Sequence, residues 1–209
     1  MVRDLAKELN KEVDFIIEGK ETELDRTVID EIGDPLVHLL RNAVDHGLES
    51  TEERIKMGKP AQGTVILRAR HEGNNVYIEV EDDGAGVDVE KVLQRALEKG
   101  LITPQDAEKM SVEEAADILF YPGFSTAKIV SDVSGRGVGL DVVKSKIESL
   151  NGEIFIETRP GLGTKFRVKL PLTLAIIQAL MVSVREEIYA IPLSSVDETT
   201  MITDDDIKM

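Results

Sequence analysis

Cysteine and tryptophan are absent from the 209 residues, and only 4% are aromatic. The first absence excludes disulfides, thiolate metal centres and thiol nucleophiles together. The scarcity of rings means that any core is aliphatic. Basic charge is also short: 25 Lys and Arg stand against 40 Asp and Glu, a formal net charge of −15. Such an excess repels a phosphate backbone, which argues against a nucleic-acid partner and requires any bound anion to have a local, built site. Long apolar runs are missing too. The longest, "LTLAIIQALMVSV" at 172–184, is interrupted by Thr, Gln and Ser and is too short to cross a bilayer. The N-terminal "MVRDLAKELNKEVDF" has no apolar signal core. These features together point to a cytoplasmic chain with no direct membrane insertion.

What is present fits a globular protein, since 42% of residues are hydrophobic and 31% charged. The length accommodates one sizeable domain, or one domain with part of a second. Residues 13–17, "VDFII", alternate as a strand. In "DPLVHLLRNAVDHG" at 34–47, Asp34 suits an N-cap, Pro35 the first helical position and Gly47 a C-terminal stop. Leu36, Leu39, Leu40, Ala43 and Val44 form the apolar stripe of that helix, and His38, Asn42 and His46 follow an i, i+4, i+8 line on another face. After a polar loop, "TVILRAR" and "VYIEVE" flank "HEGNN" as a hairpin. Helices are expected over 88–99 and from the capping-box pattern "SVEE" at 111–114 through Leu119. The stretch 121–139 lacks periodicity and reads as a long loop. A helix over 140–150 and a hairpin of "EIFIET" and "TKFRVKL" complete residues 1–171 as an α+β two-layer sandwich, a mixed sheet with helices on one face. From 172 to 209 the pattern becomes β-rich, consistent with the truncated start of a second domain.

Three glycine clusters, "DDGAG" (82–86), "GRGVG" (135–139) and "GLGT" (161–164), are weak signals singly. "GRGVG" leads straight into a helix, where unpaired N–H groups and the helix dipole favour a phosphate. It fits neither the dinucleotide fingerprint nor a Walker P-loop. Asp82 ends an apolar strand, from which its carboxylate can either accept from an exocyclic amine or simply start a turn.

The order "HLLRNAVDHG", "DDGAG", "FYPGFST", "GRGVG", "GTKF" resembles the N box, first glycine box, F box and two further glycine boxes of the histidine-kinase, gyrase and Hsp90 ATP-binding superfamily. More narrowly, "HLLRNAVDHGLE", "PGFST" and "SGRGVGLDVVK" are similar to the catalytic domain of chemotaxis histidine kinases of the CheA type, over roughly residues 1–170. The tail from "LPLTLAIIQAL" to "IYAIPL" resembles the start of the CheW-like regulatory domain that follows it in that family. The resemblance implies a Bergerat-type ATP-binding fold with a long lid, and ATP and Mg²⁺ as cofactors. It implies that Asn42 coordinates the metal, with His38 and His46 a turn away on either side reaching phosphate oxygens. Asp82 would read the adenine amino group, with Gly84 and Gly86 beneath the ring. Gly135, Arg136, Gly137, Val138, Gly139 and Leu140 would form the phosphate lid. Lys91, Phe124, Ser125 and Thr164 would add further contacts, with a solvated surface lysine and arginine the alternative for Lys91 and Arg136.

Related ATPases place a water-activating Glu where this chain has His38, which favours phosphoryl transfer over hydrolysis. No histidine here suits an acceptor, since the chain has three, His38, His46 and His71. The resemblance therefore implies transfer in trans to a separate histidine phosphoacceptor domain. It also implies a CheW-like adaptor and chemoreceptors as partners through the regulatory domain. A monomer is expected for this chain and a dimer for a whole kinase, with residues 3–10 a remnant of dimerisation helices. Ala85 and Ala127 depart from the Arg and Lys common in that family. A hydrolytic ATPase and a non-catalytic binding module remain alternatives, distinguished by turnover without an acceptor and by the lack of Mg²⁺-dependent nucleotide binding.

Overall fold

The computed structural model describes residues 1–124, 139–172, 179–185, 187–196 and 198–200. The chain divides into two compact units, Met1–Leu172 and Thr173–Met209. The first is a two-layer α+β sandwich. Its five-stranded sheet has the order β1-β2-β3-β5-β4, from β1 (Val13–Glu18), β2 (Gly63–Glu72), β3 (Asn75–Asp82), β4 (Glu153–Arg159) and β5 (Gly163–Pro171). The pair β1–β2 is parallel and the other pairs are antiparallel, so the sheet is mixed.

Alternation along the strands sorts the two faces. Val65, Val76, Ile78, Val80, Ile156, Phe166, Val168 and Leu170 point to the helices and are buried. The opposite face carries a lattice of ion pairs centred on Glu79, whose side chain is only 4% exposed among Arg68, Arg70 and Arg167. Charge pairing covers this face.

The helical layer comprises α1 (Val2–Glu8), α2 (Arg26–Asn42), α3 (Thr51–Lys56), α4 (Val89–Glu98), α5 (Pro104–Ala107), α6 (Val112–Asp117) and α7 (Leu140–Ser149). Leu39 and Val44 from α2 and its continuation, with Val143 and Ile147 from α7, are fully or almost fully buried against the sheet. Helices α2 and α7 are also linked by Lys146 and Glu31. A satellite core under α4 gathers Val92, Ala96, Ile118 and Phe124. Helix α1 contributes Val2, Leu5 and Ala6 to the main core, so residues 3–10 are an integral part of this unit.

Two expectations are corrected. Helix α2 starts well before Asp34, at an N-cap Asp25 whose side chain accepts from the Thr27 N–H at 2.8 Å, and Pro35 lies in its interior. An interior proline costs about 3 kcal/mol. Extending the helix buries Val28 and Ile32 as well, at about 1.5–3 kcal/mol each, which offsets that cost. The polar loop before β2 contains α3, closed by a capping box between Ser50 and Glu53. A further short helix, α5, opened by a capping box between Thr103 and Asp106, was not expected, while the other strands and the expected helices fall within a few residues of the sequence reading and the "SVEE" box is formed by Ser111 and Glu114.

In the second unit the described residues form a hairpin of β6 (Ala179–Val184) and β7 (Glu187–Pro192), turning at Arg185 with φ +59°. Met181 and Ile188 are largely exposed. Among the described residues, no helix is long and apolar enough to cross a membrane.

Candidate functional site: the end of β3 against the end of α2

Helix α2 does not stop at Asn42. It widens into a π-helical turn, Ala43–Gly47, closed by an N–H of Leu48 that reaches back five residues to the Ala43 carbonyl at 2.9 Å. Single π turns of this kind recur at functional sites. The carbonyls left open at the turn are capped from across the molecule: Lys11 Nζ donates to Val44, Asp45 and Leu48 at 2.9, 2.7 and 2.7 Å. Burial of that ammonium lowers its pKa.

The widened turn brings Gly47 onto Asp82, the last residue of β3. A Cβ on Gly47 would come within 2.8 Å of Asp82 Oδ2, so glycine is required for the carboxylate to sit there. Asp82 is 5% exposed. Its Oδ1 accepts from the Gly84 N–H at 3.0 Å and from the N–H of Thr164, its cross-strand partner on β5, at 3.3 Å. Burial pushes the Asp82 carboxyl up to about 6, further than those two N–H groups lower it, and the charges of Asp83 and Glu49 add to the rise. A buried carboxylate whose Oδ1 serves the backbone and whose Oδ2 has no donor among the described residues is a built acceptor for one external donor.

The turn after Asp82 is locked on both sides. Ala85 N–H donates to the Gly47 carbonyl at 2.9 Å, and Gly161 N–H donates to the Ala85 carbonyl at 2.7 Å. A Cβ on Gly84 would lie 2.0 Å from the Gly47 carbonyl oxygen, and one on Gly86, at φ +74°, would lie 2.5 Å from that of Arg159. Backbone packing against protein therefore demands both glycines. Thr164 is buried, with its hydroxyl 3.3 Å from that of Thr158, which in turn accepts from Val87 N–H.

The remaining expected residues are distributed unevenly. His38 and Asn42 are half-buried on α2, one turn apart. Burial, with Arg41 and His46 nearby, lowers the His38 pKa and so favours its neutral imidazole. His46 falls in the π turn, and its side chain is 77% exposed beside Asp45. Lys91 is exposed on α4 and paired with Asp88 at 2.7 Å. Phe124, expected at a nucleotide, belongs to the satellite core with Lys99 above its ring. Gly139 is the N-cap of α7 and Leu140 its first residue, as expected of a glycine cluster opening a helix. Ser125, Gly135, Arg136, Gly137 and Val138 lie outside the described residues.

The sequence reading missed the polar cluster behind the Asp82 turn. Arg54 of α3 is 1% exposed and donates to Glu49, to Asp83 and to the carbonyls of Pro60 and Gln62. Lys59 joins Glu49 to the same turn. The only local signal was the capping pattern at Ser50, because long-range salt bridges have no sequence period.

The model of the histidine kinase-, DNA gyrase B- and HSP90-like ATPases matches residues 31–174, which include Asn42, the π turn and the Asp82 turn. The chain belongs to that ATPase family. Among curated proteins it is 58% identical over 207 residues to the sensor histidine kinase CheAY of Helicobacter pylori, 56% over 207 residues to the chemotaxis protein CheA of Bacillus subtilis and 56% over 209 residues to that of Borreliella burgdorferi. These alignments cover 99–100% of this chain and 24–31% of the relatives. The chain thus spans about a quarter to a third of their length.

Proposed function

We propose that this chain is the ATP-binding catalytic part of a chemotaxis histidine kinase, which holds Mg-ATP and directs its γ-phosphoryl group to a histidine on a separate domain. The observation that carries the reading is Asp82: a buried carboxylate with Oδ1 satisfied by backbone and Oδ2 held against Gly47, in a member of an ATPase family. Such a group accepts a hydrogen bond from the exocyclic amine of adenine and rejects a base that offers a carbonyl there.

The donor set fits Mg²⁺ as well. Among the described residues, no three His, Asp or Glu side chains stand close enough to cage a metal. A hard cation here would take the Asn42 amide oxygen together with nucleotide phosphates and waters, its usual company. When bound, Mg-ATP supplies the transferable phosphoryl group. The protein orients it: Asp82 fixes the base, Asn42 stands at the phosphate end of α2, and the N-terminus of α7, which no side chain caps among the described residues, turns its N–H groups to anionic oxygens. His38 can hydrogen-bond a phosphate oxygen without a carboxylate's repulsion. Its place in the site supports transfer rather than hydrolysis.

The exposed hairpin β6–β7 is read as the start of a CheW-like regulatory domain, through which an adaptor and chemoreceptors would engage the whole cytoplasmic, dimeric kinase. Calorimetric titration of Mg-ATP into the wild type, with and without EDTA, and into Asp82→Asn tests the site. Binding that is lost in Asp82→Asn and weakened by EDTA supports it, and a wild type that does not bind refutes it. Labelled ATP with a separate phosphoacceptor domain must then yield phosphohistidine. Rapid phosphate release without acceptor would instead identify a hydrolase.

A further inference from the structure

The cluster behind the Asp82 turn is built around cations that reach backbone oxygens rather than around a surface ion pair. Lys59 Nζ uses its three donors on Glu49 Oε1 at 2.6 Å and on the carbonyls of the consecutive residues Asp83 and Gly84 at 3.0 and 2.7 Å. Arg54 holds the Asp83 carboxylate at 2.9 Å and its carbonyl at 3.2 Å, and pairs with Glu49 at 3.0 Å. Asp83 Oδ1 accepts from Thr64 N–H at 2.9 Å. Two cations and two carboxylates balance, so the cluster can be buried without a stranded charge.

We propose that Lys59 is a positioning residue for the nucleotide base: it fixes the peptide after Asp83 so that Asp82 presents Oδ2 correctly. The inference rests on the reading of Asp82 as the adenine acceptor. Its logic follows the hydrogen bonds. Gly84 N–H holds Asp82 Oδ1, the Gly84 carbonyl is held by Lys59, and the next N–H, of Ala85, is held by Gly47. Losing Lys59 frees the Gly84 carbonyl and leaves the Asp83 carbonyl to Arg54 alone at 3.2 Å, so the peptides around Gly84 are held less firmly, and the N–H that orients the carboxylate moves with them. The surroundings of Lys59 point away from a role in core packing. Ile55 and Met57 of the same segment are 60% and 63% exposed, and Arg54 is the buried residue of α3. This segment meets the rest of the protein through polar contacts to the Asp82 turn.

Lys59→Met tests this in the full chain, with Lys56→Met as a control, because Lys56 is exposed at the end of the adjoining helix α3. Loss of a charge-assisted hydrogen bond predicts about tenfold weaker calorimetric binding of Mg-ADP for Lys59→Met, with the control unchanged. In phosphoryl transfer the same loss raises KM for ATP and leaves kcat in place, because the contact acts at the base rather than at the reacting phosphate. Without nucleotide, amide hydrogen exchange at Gly84 and Ala85 becomes faster in Lys59→Met while the β3 amides Ile78 and Val80 keep their protection. Binding of Lys59→Met equal to wild type, unchanged exchange at Gly84 and Ala85, or protection lost uniformly across the sheet would each overturn the proposal. The last result would make Lys59 a general stability residue. Should wild type itself fail to bind nucleotide, the adenine reading falls and the positioning proposal falls with it, while unaltered exchange at the turn in a nucleotide-binding protein overturns the positioning proposal alone.

Discussion

Replacing Asp82 with Asn is expected to stabilise the protein while disabling the site. Raising the Asp82 pKa from 3.8 to about 6 is a displacement of about two units. At about 1.4 kcal/mol per unit, the folded state spends about 3 kcal/mol at neutral pH to keep this carboxylate ionised and buried. The amide of Asp82→Asn keeps an oxygen for the Gly84 and Thr164 N–H groups and carries no charge to desolvate. For a unit of this size each kcal/mol moves the melting temperature by about 2–4 °C, so the variant should melt roughly 6–12 °C higher near neutral pH. The sign follows from proton binding. The folded protein holds the Asp82 proton more tightly than the unfolded chain, so the penalty is complete above about pH 6 and shrinks as pH falls from there towards 3.8. Thermal unfolding of both proteins at neutral pH and near pH 4 measures the gap. A variant that melts below wild type at neutral pH, or a gap of the same size at both pH values, would refute the reasoning. Nucleotide binding in the same samples should be absent from the more stable protein, the trade-off expected of a functional group held in an unfavourable environment.

The same carboxyl makes base recognition pH-dependent: adenosine, which has no phosphate to titrate, should bind about tenfold more weakly at one pH unit below the Asp82 pKa of about 6 than at pH 8, and flat affinity would count against Asp82 as acceptor. Gly84→Ala puts a methyl 2.0 Å from the Gly47 carbonyl oxygen, so denaturant melts should show a loss of about 1–3 kcal/mol together with loss of nucleotide binding. Lys11→Met strips three carbonyls of their donor, and a loss of about 1–3 kcal/mol with faster exchange at the Leu48 amide is expected; unchanged exchange there would show that the π turn holds itself. Glu79→Ala leaves Arg68, Arg70 and Arg167 facing one another. Because those arginines are partly solvated, the cost should be about 1–2 kcal/mol and should shrink as salt screens their repulsion.

The sheet and most helices were legible because their information is local. Alternation in "VYIEVE" and "TKFRVKL", the turn glycines and the Ser111 capping box each lie within one element. Asp82 was legible for a similar reason, as a carboxylate closing an apolar strand before glycine. The early start of α2 was hidden because Asp34-Pro35 imitates a helix beginning, and only tertiary burial of Val28 and Ile32 outweighs it. The π turn that carries His46 was hidden because it is stabilised by Lys11, which is remote in sequence. The Lys59 cluster was invisible for the same reason: its partners come from α3, the loops around it and the end of β3, and no periodicity connects them. The glycines of the Asp82 turn were noticed, but the approach of two backbones that also demands them is recorded by no single segment.

The π turn at Ala43–Gly47 makes the site depend on how many residues the chain has there, and not only on which ones. A helix of ordinary pitch advances about 100° per residue, so removing one residue from the turn would restore regular winding and rotate everything after it by that amount. Gly47 would leave Asp82, and Ala85 would lose its anchor, although every side chain named in the site could still be present. Single-residue deletions across 43–47 should therefore be far less tolerated than substitutions at the same positions. In this segment length itself is inherited information, and a lineage that kept each functional residue but lost one spacer would lose the nucleotide.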